Sequence, residues 1–275
     1  MDSPKKCLTI GGWDPCGAFG VPADIKTFAA HGVHGMSVLT VVTAQNSVGW
    51  YGAEYLPLEL VALQLDAVLG DYGADAFKTG FLGNVELIEL IASKIKEYGV
   101  KQVVIDPVLI NARKKPMFGP EVNQAYQAHL FPLATIITPN LNELNYLVNG
   151  SSEQWNESKE GLAALKDYHA AYVHDGLIAI KGLPLSDLTQ TSVAEIGDGW
   201  FDGEQIEIEP MSKVETKNVS GTGDTFSAAI AARLALGDGS ADAIHSASHF
   251  VHNAIRTSSN WNLAKGASPI ANFDA

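Results

Sequence analysis

The sequence has little cysteine, a deficit of positive charge and no long apolar run. Only Cys7 and Cys16 occur among its 275 residues, which excludes a disulfide framework and favours a reducing, cytoplasmic compartment. Its 18 Lys and Arg against 31 Asp and Glu give a net charge of −13, so we expect neither nucleic acid nor an anionic membrane surface as a partner. No apolar segment approaches the roughly 18 residues of a membrane span or resembles a signal peptide.

The motifs of several common enzyme classes are also missing. The sequence has no Walker A phosphate-binding loop, no protein-kinase catalytic motifs and no GxSxG nucleophile elbow. It has no CxxC or HExxH pair, so these patterns give no indication of zinc. The eight histidines are scattered, and we interpret most of them as surface or helix residues.

What is present is an alternation of short apolar segments with helical ones, which predicts a parallel sheet with crossover helices. The expected fold is one α/β domain over residues 1–275, a three-layer α/β/α sandwich with a mainly parallel sheet and a short antiparallel edge. Predicted strands are 8–10, 37–42, 76–79, 103–105, 136–137 and 177–180, with a β excursion at 48–56 and a meander at 192–196, 199–201 and 205–208. Predicted helices are 23–31, 57–69, 85–98, 119–130, 142–148, 162–172, the segment from the central motif to 236, and 241–256, and a coil tail follows from about 258.

The chain is organised around the stretch 219–229, in which Gly221, Thr222, Gly223 and Asp224 precede an Ala-rich helix. The glycines and the free N–H groups of a helix start favour an anion site. A carboxylate at that position is a poor phosphate ligand, but it suits a base that takes a proton from an alcohol attacking phosphorus. The alternative is ordinary helix capping.

Polar residues follow several apolar strands, at the edge of the sheet where open α/β folds bind ligands. Asp106 and the pair Asn140 and Glu143 are candidates for Mg²⁺, held directly or through water. Glu143 could instead be the capping-box partner of Asn140. Lys181 could neutralise phosphate charge or be merely a solvated strand end. Gln45, at the end of the second strand, suits recognition of a heteroaromatic ring, unless it belongs to a polar turn.

These motifs, taken in order, resemble the hydroxymethylpyrimidine/phosphomethylpyrimidine kinases, the thiamin-pathway members of the ribokinase superfamily. The resemblance rests on the segments 8–17, 23–28, 32–38, 43–46, 78–82, 106–108, 138–143, 181–182 and 221–224. It covers nearly the whole chain. It implies a ribokinase-like fold, ATP with Mg²⁺ and a homodimer in which a flap replaces a separate lid.

The resemblance also implies roles for individual residues. Substrate would contact a set of pocket residues, namely Gly12, Asp24, Gln45, Phe81 and Val108. Asn140 and Glu143 would serve the metal and the phosphates, and Lys181 with the backbone of Gly221, Thr222 and Gly223 would hold the ATP phosphates. Asp224 stands where the superfamily keeps its base.

The sequence departs from the family pattern at several positions. Pyrimidine kinases usually carry Cys at the position of Asp224, whereas many pyridoxal kinases carry Asp. The segment 109–115 lacks the usual Lys-Ser-Gly, and 181–184 lacks a second Gly and a His. Trp13 and Phe19 replace small residues, which predicts a bulkier first loop.

The leading hypothesis is an ATP-dependent kinase for the hydroxymethyl group of 4-amino-5-hydroxymethyl-2-methylpyrimidine, and possibly for the monophosphate that results. The alternatives are a pyridoxine/pyridoxal kinase and a weakly active binding protein with the same fold. Since each like-charge pair at 4 Å costs about 4 kcal/mol at an effective dielectric of about 20, Asp224 predicts that the alcohol step dominates over phosphorylation of a monophosphate.

Overall fold

A computed structural model describes residues 3–111, 113–150, 159–184 and 195–273. Nine strands lie within these ranges and form one sheet. They are β1 (Lys6–Trp13), β2 (His34–Asn46), β3 (Gly49–Tyr55), β4 (Ala76–Thr79), β5 (Gln102–Ile105), β6 (Ile136–Ile137), β7 (Leu177–Pro184), β8 (Glu195–Phe201) and β9 (Ile206–Ser212).

The strand order in the sheet is β3-β2-β1-β4-β5-β6-β7-β8-β9. The six strands from β2 to β7 in that order run parallel, whereas β3 pairs antiparallel with β2, and β8 and β9 continue antiparallel beyond β7. The mainly parallel sheet is therefore confirmed, with antiparallel strands at both edges. The carboxyl ends of the parallel strands share one rim, which is where this fold class binds ligands.

Eight α-helices cover the two faces of the sheet in the described residues. They are α1 (Gly20–Ala30), α2 (Leu58–Asp71), α3 (Val85–Tyr98), α4 (Pro120–Ala125), α5 (Leu141–Asn149), α6 (Lys159–Tyr172), α7 (Thr222–Leu236) and α8 (Ser240–Ser258). Alternation along β1 shows the layering, because Leu8 and Ile10 pack into one apolar core with α2 and α3, while Cys7 packs into the other with α7 and α8. Side chains of successive strand residues point to opposite faces, so the expected three-layer sandwich is confirmed.

Helix α7 is buried on nearly all sides, unlike a surface helix with one apolar stripe. Its buried side chains are mostly small, with Ala228, Ala229, Ala231 and Ala232 fully enclosed. Small side chains let the helix lie close to the sheet on one side and to α1 and α8 on the others. Close packing on several sides thereby fixes the position of α7 against the sheet.

Several predicted elements differ from the observed ones. Residues 195–201 form one strand, where two were expected, because β8 is paired on both sides and its glycines do not interrupt the ladder. Residues 192–194 of the predicted meander lie outside the described residues. Strand β7 continues past Lys181 to Pro184, and the helix expected over 119–130 changes after Ala125 into a π-helical turn, Tyr126–Leu130.

The tail after α8 is coil, as predicted, but it packs against the rest of the chain. Ile270 and Ala271 are buried, and the Ile270 N–H donates to the Ser220 carbonyl at 3.2 Å. The tail thus supports the segment that leads into α7. No helix in the described part of the chain combines the length and the apolar character needed to cross a membrane.

Candidate active site

The loop after β1 is folded around the carboxylate of Asp14. This buried side chain accepts hydrogen bonds from the N–H groups of Cys16 (2.9 Å), Ala18 (2.8 Å) and Phe19 (3.0 Å). A carboxylate that binds successive backbone amides fixes the path of a loop. The loop therefore has a defined shape at the rim of the sheet, and Asp14 is a structural residue that the sequence interpretation did not single out.

The amino end of α7 meets this loop at Gly221. The φ of Gly221 is +85°, and a Cβ there would lie 2.0 Å from the Ala18 carbonyl oxygen, so only glycine fits. Thr225 N–H closes the first helical turn on the Gly221 carbonyl at 2.9 Å, and Thr222 N–H makes only a long 3.4 Å contact to a preceding carbonyl. First-turn amides have no partner within their helix, and the anion hole expected at Gly221, Thr222 and Gly223 stays a prediction.

The carboxylate of Asp224 lies in the same helical turn and is only 17% exposed. It accepts a hydrogen bond from the Gly20 N–H and lies 3.5 Å from the ammonium of Lys78. Lys78 in turn contacts both oxygens of Asp24, at 2.7 and 2.8 Å, and Thr9 donates to Asp24 at 2.5 Å. Asp224, Lys78 and Asp24 thus form a row of alternating charges.

Lys78 is the functional residue that the sequence interpretation missed. It lies in β4 and is fully buried, in a strand that is otherwise apolar except for Thr79. Burial alone would lower the pKa of Lys78, but Asp24, Asp224 and Asp106 hold it above its ordinary value, so Lys78 carries its charge. A lysine inside a buried strand needs an acidic partner. The position of Lys78 within a predicted apolar strand was therefore the sequence feature that could have identified it.

A second lysine, Lys181, joins the row to the neighbouring strand ends. Its ammonium lies 2.9 Å from Asp106 Oδ1, while Ser227 of α7 donates to Asp106 Oδ2 at 3.1 Å. A Cβ on Gly223 would lie 3.3 Å from Lys181 Nζ, so the ammonium lies directly beside the first turn of α7. This position suits a cation that neutralises phosphate charge.

Asn140 and Glu143 form a capping box at the start of α5. The Asn140 side chain accepts from the N–H groups of Asn142 and Glu143, and Glu143 Oε2 accepts from the Asn140 N–H at 2.9 Å. Glu143 Oε1 also accepts from the Leu109 N–H at 3.2 Å. Burial raises the pKa of Glu143 to about 7, against the opposing effect of Lys181. The capping alternative is therefore present, and a role toward metal or phosphate stays a prediction.

A cavity of about 1320 Å³ opens on one side of this row. Its walls come from α5, β7, β8, β9, α7 and α8 and include Asn140, Lys181, Gly182, Asp198, Thr222, Gly223, Val251 and Ile255. The cavity is large enough for a nucleotide, and it meets both Lys181 and the amino end of α7. Asp224 lies at the opposite side of the helix start, beside the first loop.

The five residues predicted to contact substrate are not among those that line this cavity; four lie in or after the strands β1, β2, β4 and β5, and Asp24 lies in α1. Gly12 is buried in β1, and Gln45 of β2 and Val108 after β5 are half-buried. Phe81 follows β4, with its ring centroid 5.5 Å from that of Phe118. Asp24 differs from these four, because it is buried and both oxygens are bonded to Lys78. Direct substrate contact by all five stays a prediction, and Asp24 is placed to act through Lys78.

The two bulky residues that enlarge the first loop, Trp13 and Phe19, are both partly exposed. Trp13 is 42% and Phe19 41% exposed, and the Cys16 thiol lies 3.1 Å from the Gln45 carbonyl oxygen.

A buried acid at a helix start, a lysine-lined cavity and an α/β/α sandwich together fit a kinase of the ribokinase-like fold class. The sequence matches the profile of the phosphomethylpyrimidine kinase family over residues 14–271. It is 34% identical to a hydroxymethylpyrimidine/phosphomethylpyrimidine kinase of Rhizobium meliloti, over 97% of this chain and 96% of that one. The chain therefore belongs to the phosphomethylpyrimidine kinase family.

Pyridoxal kinases are also similar to this chain. A pyridoxine kinase of Bacillus subtilis is 36% identical over 93% of this chain and 92% of its own. The crystal structure of an ADP complex of Bacillus subtilis pyridoxal kinase superposes with a TM-score of 0.85 at 34% identity, covering 98% of both chains. The ribokinase-like fold expected from the sequence is confirmed.

Proposed function

We propose that this protein transfers the γ-phosphoryl group of ATP to the hydroxymethyl group of 4-amino-5-hydroxymethyl-2-methylpyrimidine, in thiamin biosynthesis. The observation that carries the proposal is the position of Asp224. It lies in the first turn of α7, beside the first-turn amides and next to a lysine-lined cavity of nucleotide size. The family membership and its kinase relatives support the same reaction.

In the proposed mechanism Asp224 accepts the hydroxyl proton as the substrate oxygen forms its bond to the γ-phosphorus. The bond from phosphorus to the β–γ bridging oxygen breaks, and ADP leaves with that oxygen. Burial raises the pKa of Asp224 above its ordinary value, against the opposing charge of Lys78. A raised pKa strengthens the carboxylate as a base near neutral pH. The first-turn amides of α7 and Lys181 stabilise the charge that develops on the phosphoryl oxygens.

Magnesium fits the donor set at the strand ends. Four carboxyl groups face two ammonium groups in this cluster: Asp24, Asp106, Glu143 and Asp224 against Lys78 and Lys181. Asp106 and Glu143 offer oxygen ligands, as Mg²⁺ prefers. Since their oxygens already accept hydrogen bonds, we propose that they hold the ion mainly through water. When bound, Mg²⁺ would neutralise phosphate charge.

The neighbouring Lys78 should weaken the preference for an alcohol acceptor over a monophosphate that Asp224 by itself would give. The estimate of about 4 kcal/mol per charge pair applies to an uncompensated carboxylate, whereas Lys78 lies 3.5 Å from Asp224. A neighbouring cation offsets part of the repulsion felt by a phosphorylated acceptor. We therefore propose that the alcohol step dominates, by a smaller margin than an isolated acid would give.

A coupled assay of ADP release with each acceptor tests this proposal. We expect higher kcat/KM for the hydroxymethyl alcohol than for its monophosphate, and a smaller difference in Asp224→Cys, which removes the negative charge facing the acceptor. Equal or faster turnover of the monophosphate by the native enzyme would contradict the preference. No turnover of either acceptor would contradict the proposed substrate.

Pyridoxine is the second candidate substrate. Asp224 favours it, because many pyridoxal kinases carry Asp there, and so does the likeness to the Bacillus subtilis enzymes. Running the same assay with pyridoxine and pyridoxal separates the two readings through the ratio of kcat/KM values. A ratio that favours the pyridine substrates would make vitamin B6 salvage the main function.

We also propose that the protein is a single-domain, cytoplasmic homodimer. Support for the dimer comes from the aromatic side chains on the edge strand β3, where Trp50 is 55% and Tyr51 66% exposed. An edge strand with exposed aromatic residues favours association with a second chain. Light scattering coupled to gel filtration measures the mass, and a monomeric mass would contradict the dimer.

A further inference from the structure

Two histidines and a glutamate meet on the surface, away from the charge row at the strand ends. His245 and His249 lie four residues apart on α8, so their side chains point the same way from successive turns. Glu209 of β9 lies between them. His245 Nδ1 donates to Glu209 Oε2 at 2.9 Å, and His249 Nε2 donates to Oε1 at 3.1 Å.

The three side chains already have the spacing of a metal site. One ligand atom from each lies within 4.8 Å of the others, and the two imidazole rings are 4.5 Å apart between centroids. Zinc–nitrogen and zinc–oxygen bonds of about 2.0–2.2 Å in a tetrahedron place neighbouring ligand atoms about 3.3 Å apart. The histidine nitrogens lie 2.9 and 3.1 Å from the two different oxygens of Glu209, so side-chain rotation that brings the three ligand atoms from within 4.8 Å to that spacing would complete the site.

We propose that Glu209, His245 and His249 form a binding site for a divalent transition-metal ion, with Zn²⁺ as the ion that fits best. Two imidazole nitrogens and one carboxylate oxygen are typical zinc ligands, and they leave a fourth position for water. Magnesium and calcium prefer oxygen ligands alone, so this site differs in kind from the oxygen donors at Asp106 and Glu143. The protein's net charge of −13 attracts cations generally.

The ion would cross-link β9 to α8, two elements that also form a wall of the large cavity. Met211 and Lys213 of the β9 region and Val251 and His252 of α8 line that cavity. Without metal, these elements are joined by the hydrogen bonds from His245 and His249 to Glu209 and by the bond from His252 to the Ser212 carbonyl, at 2.9 Å. A metal bound by these three side chains would replace the two hydrogen bonds at Glu209 with coordinate bonds, so this surface site would hold one wall of the cavity more firmly.

Calorimetric titration of the full-length protein with ZnCl₂ tests the site. We expect one zinc ion per chain, with affinity reduced at least about tenfold in His249→Ala and further in the double variant His245→Ala/His249→Ala. The matched control is His129→Ala, because His129 faces one carboxylate, that of Glu89 at 3.5 Å, and does not belong to the metal-ligand cluster found in the described residues. Its zinc affinity should equal that of the native protein.

Thermal unfolding adds a second measurement, since a ligand that binds only the folded state raises Tm. Zinc should raise the Tm of the native protein and of His129→Ala but not that of the double variant. Circular dichroism of each variant checks that it folds. Native affinity for zinc in the double variant, or an equal loss in His129→Ala, would overturn the proposal. So would anomalous scattering at the zinc edge that places the ion elsewhere.

Discussion

The two lysines of the charge row have the same chemistry but opposite surroundings. Lys78 is fully buried between Asp24 and Asp224 and touches no part of the large cavity. Lys181 pairs with Asp106, keeps 14% of its side chain exposed and lines the cavity. A buried ion pair is costly to break, whereas a partly exposed cation can exchange partners. The comparison indicates that Lys78 positions Asp224 and that Lys181 is available to a ligand.

Asp224 lies between these two lysines, and its removal should have the largest effect on turnover. We expect Asp224→Asn to lower kcat by about 10²–10⁴-fold, because the amide cannot accept the substrate proton. ATP affinity should change much less, since the helix amides and Lys181 remain. Steady-state kinetics with equilibrium nucleotide binding measures both. Unchanged kcat would remove Asp224 from the mechanism.

The variant Lys78→Met tests the structural role of the buried lysine. Removing the ammonium leaves Asp24 buried without its partner, so we expect a loss of about 3–5 kcal/mol in the free energy of unfolding. Urea unfolding measures the loss, and the double variant Lys78→Met/Asp24→Asn should recover part of it. If Lys78→Met were as stable as the native protein, the buried pair would not have the structural role assigned to it.

The variant Lys181→Met tests whether the partly exposed lysine binds ATP. We expect the KM for ATP to rise by roughly 10- to 100-fold, which corresponds to loss of a charged hydrogen bond worth about 1.5–3 kcal/mol. Stability should fall less than in Lys78→Met, because Asp106 keeps the hydrogen bond from Ser227. Initial rates at varied ATP and urea unfolding give the two values. A larger stability loss in Lys181→Met than in Lys78→Met would reverse the comparison.

Glu143 gives the smallest expected effect, which depends on pH. Its pKa of about 7 lies above the ordinary value of 4.5, so the folded state binds this proton more tightly than the unfolded chain. The stability from this group is therefore fully present below about pH 4.5 and is lost as pH rises through about 7. Since Gln does not titrate, the stability difference between native protein and Glu143→Gln should shift by about 1–3 kcal/mol between pH 5 and 8. Urea unfolding across that range measures the shift, and a pH-independent difference would contradict it.

The sequence was sufficient for the features that depend on local pattern. Asp106, Asn140 and Lys181 were recognised as candidates because each follows an apolar segment predicted to be a strand. Asp224 was recognised because it follows glycines at a predicted helix start. The row that joins them was not predictable in the same way. Lys78 and Asp24 lie 54 residues apart in the sequence, so no local sequence pattern indicates their contact.

The differences between predicted and observed strands also arise from contacts that are distant in the sequence. The glycines of β8 resemble breaks in isolation, but hydrogen bonds from strands on both sides keep residues 195–201 continuous. The three proposed zinc ligands could not be grouped from the sequence for a related reason. The four-residue interval between His245 and His249 was visible in a predicted helix, while Glu209 comes from a strand 36 residues earlier.

The contact between Gly221 and the Ala18 carbonyl leaves no space for even a methyl group. The first loop and the start of α7 are therefore in direct backbone contact at this point. A ligand-induced shift of either segment toward the other would therefore displace it. Attempts to alter acceptor choice by redesigning residues 13–19 should consequently also change nucleotide affinity, so the two specificities cannot be engineered independently.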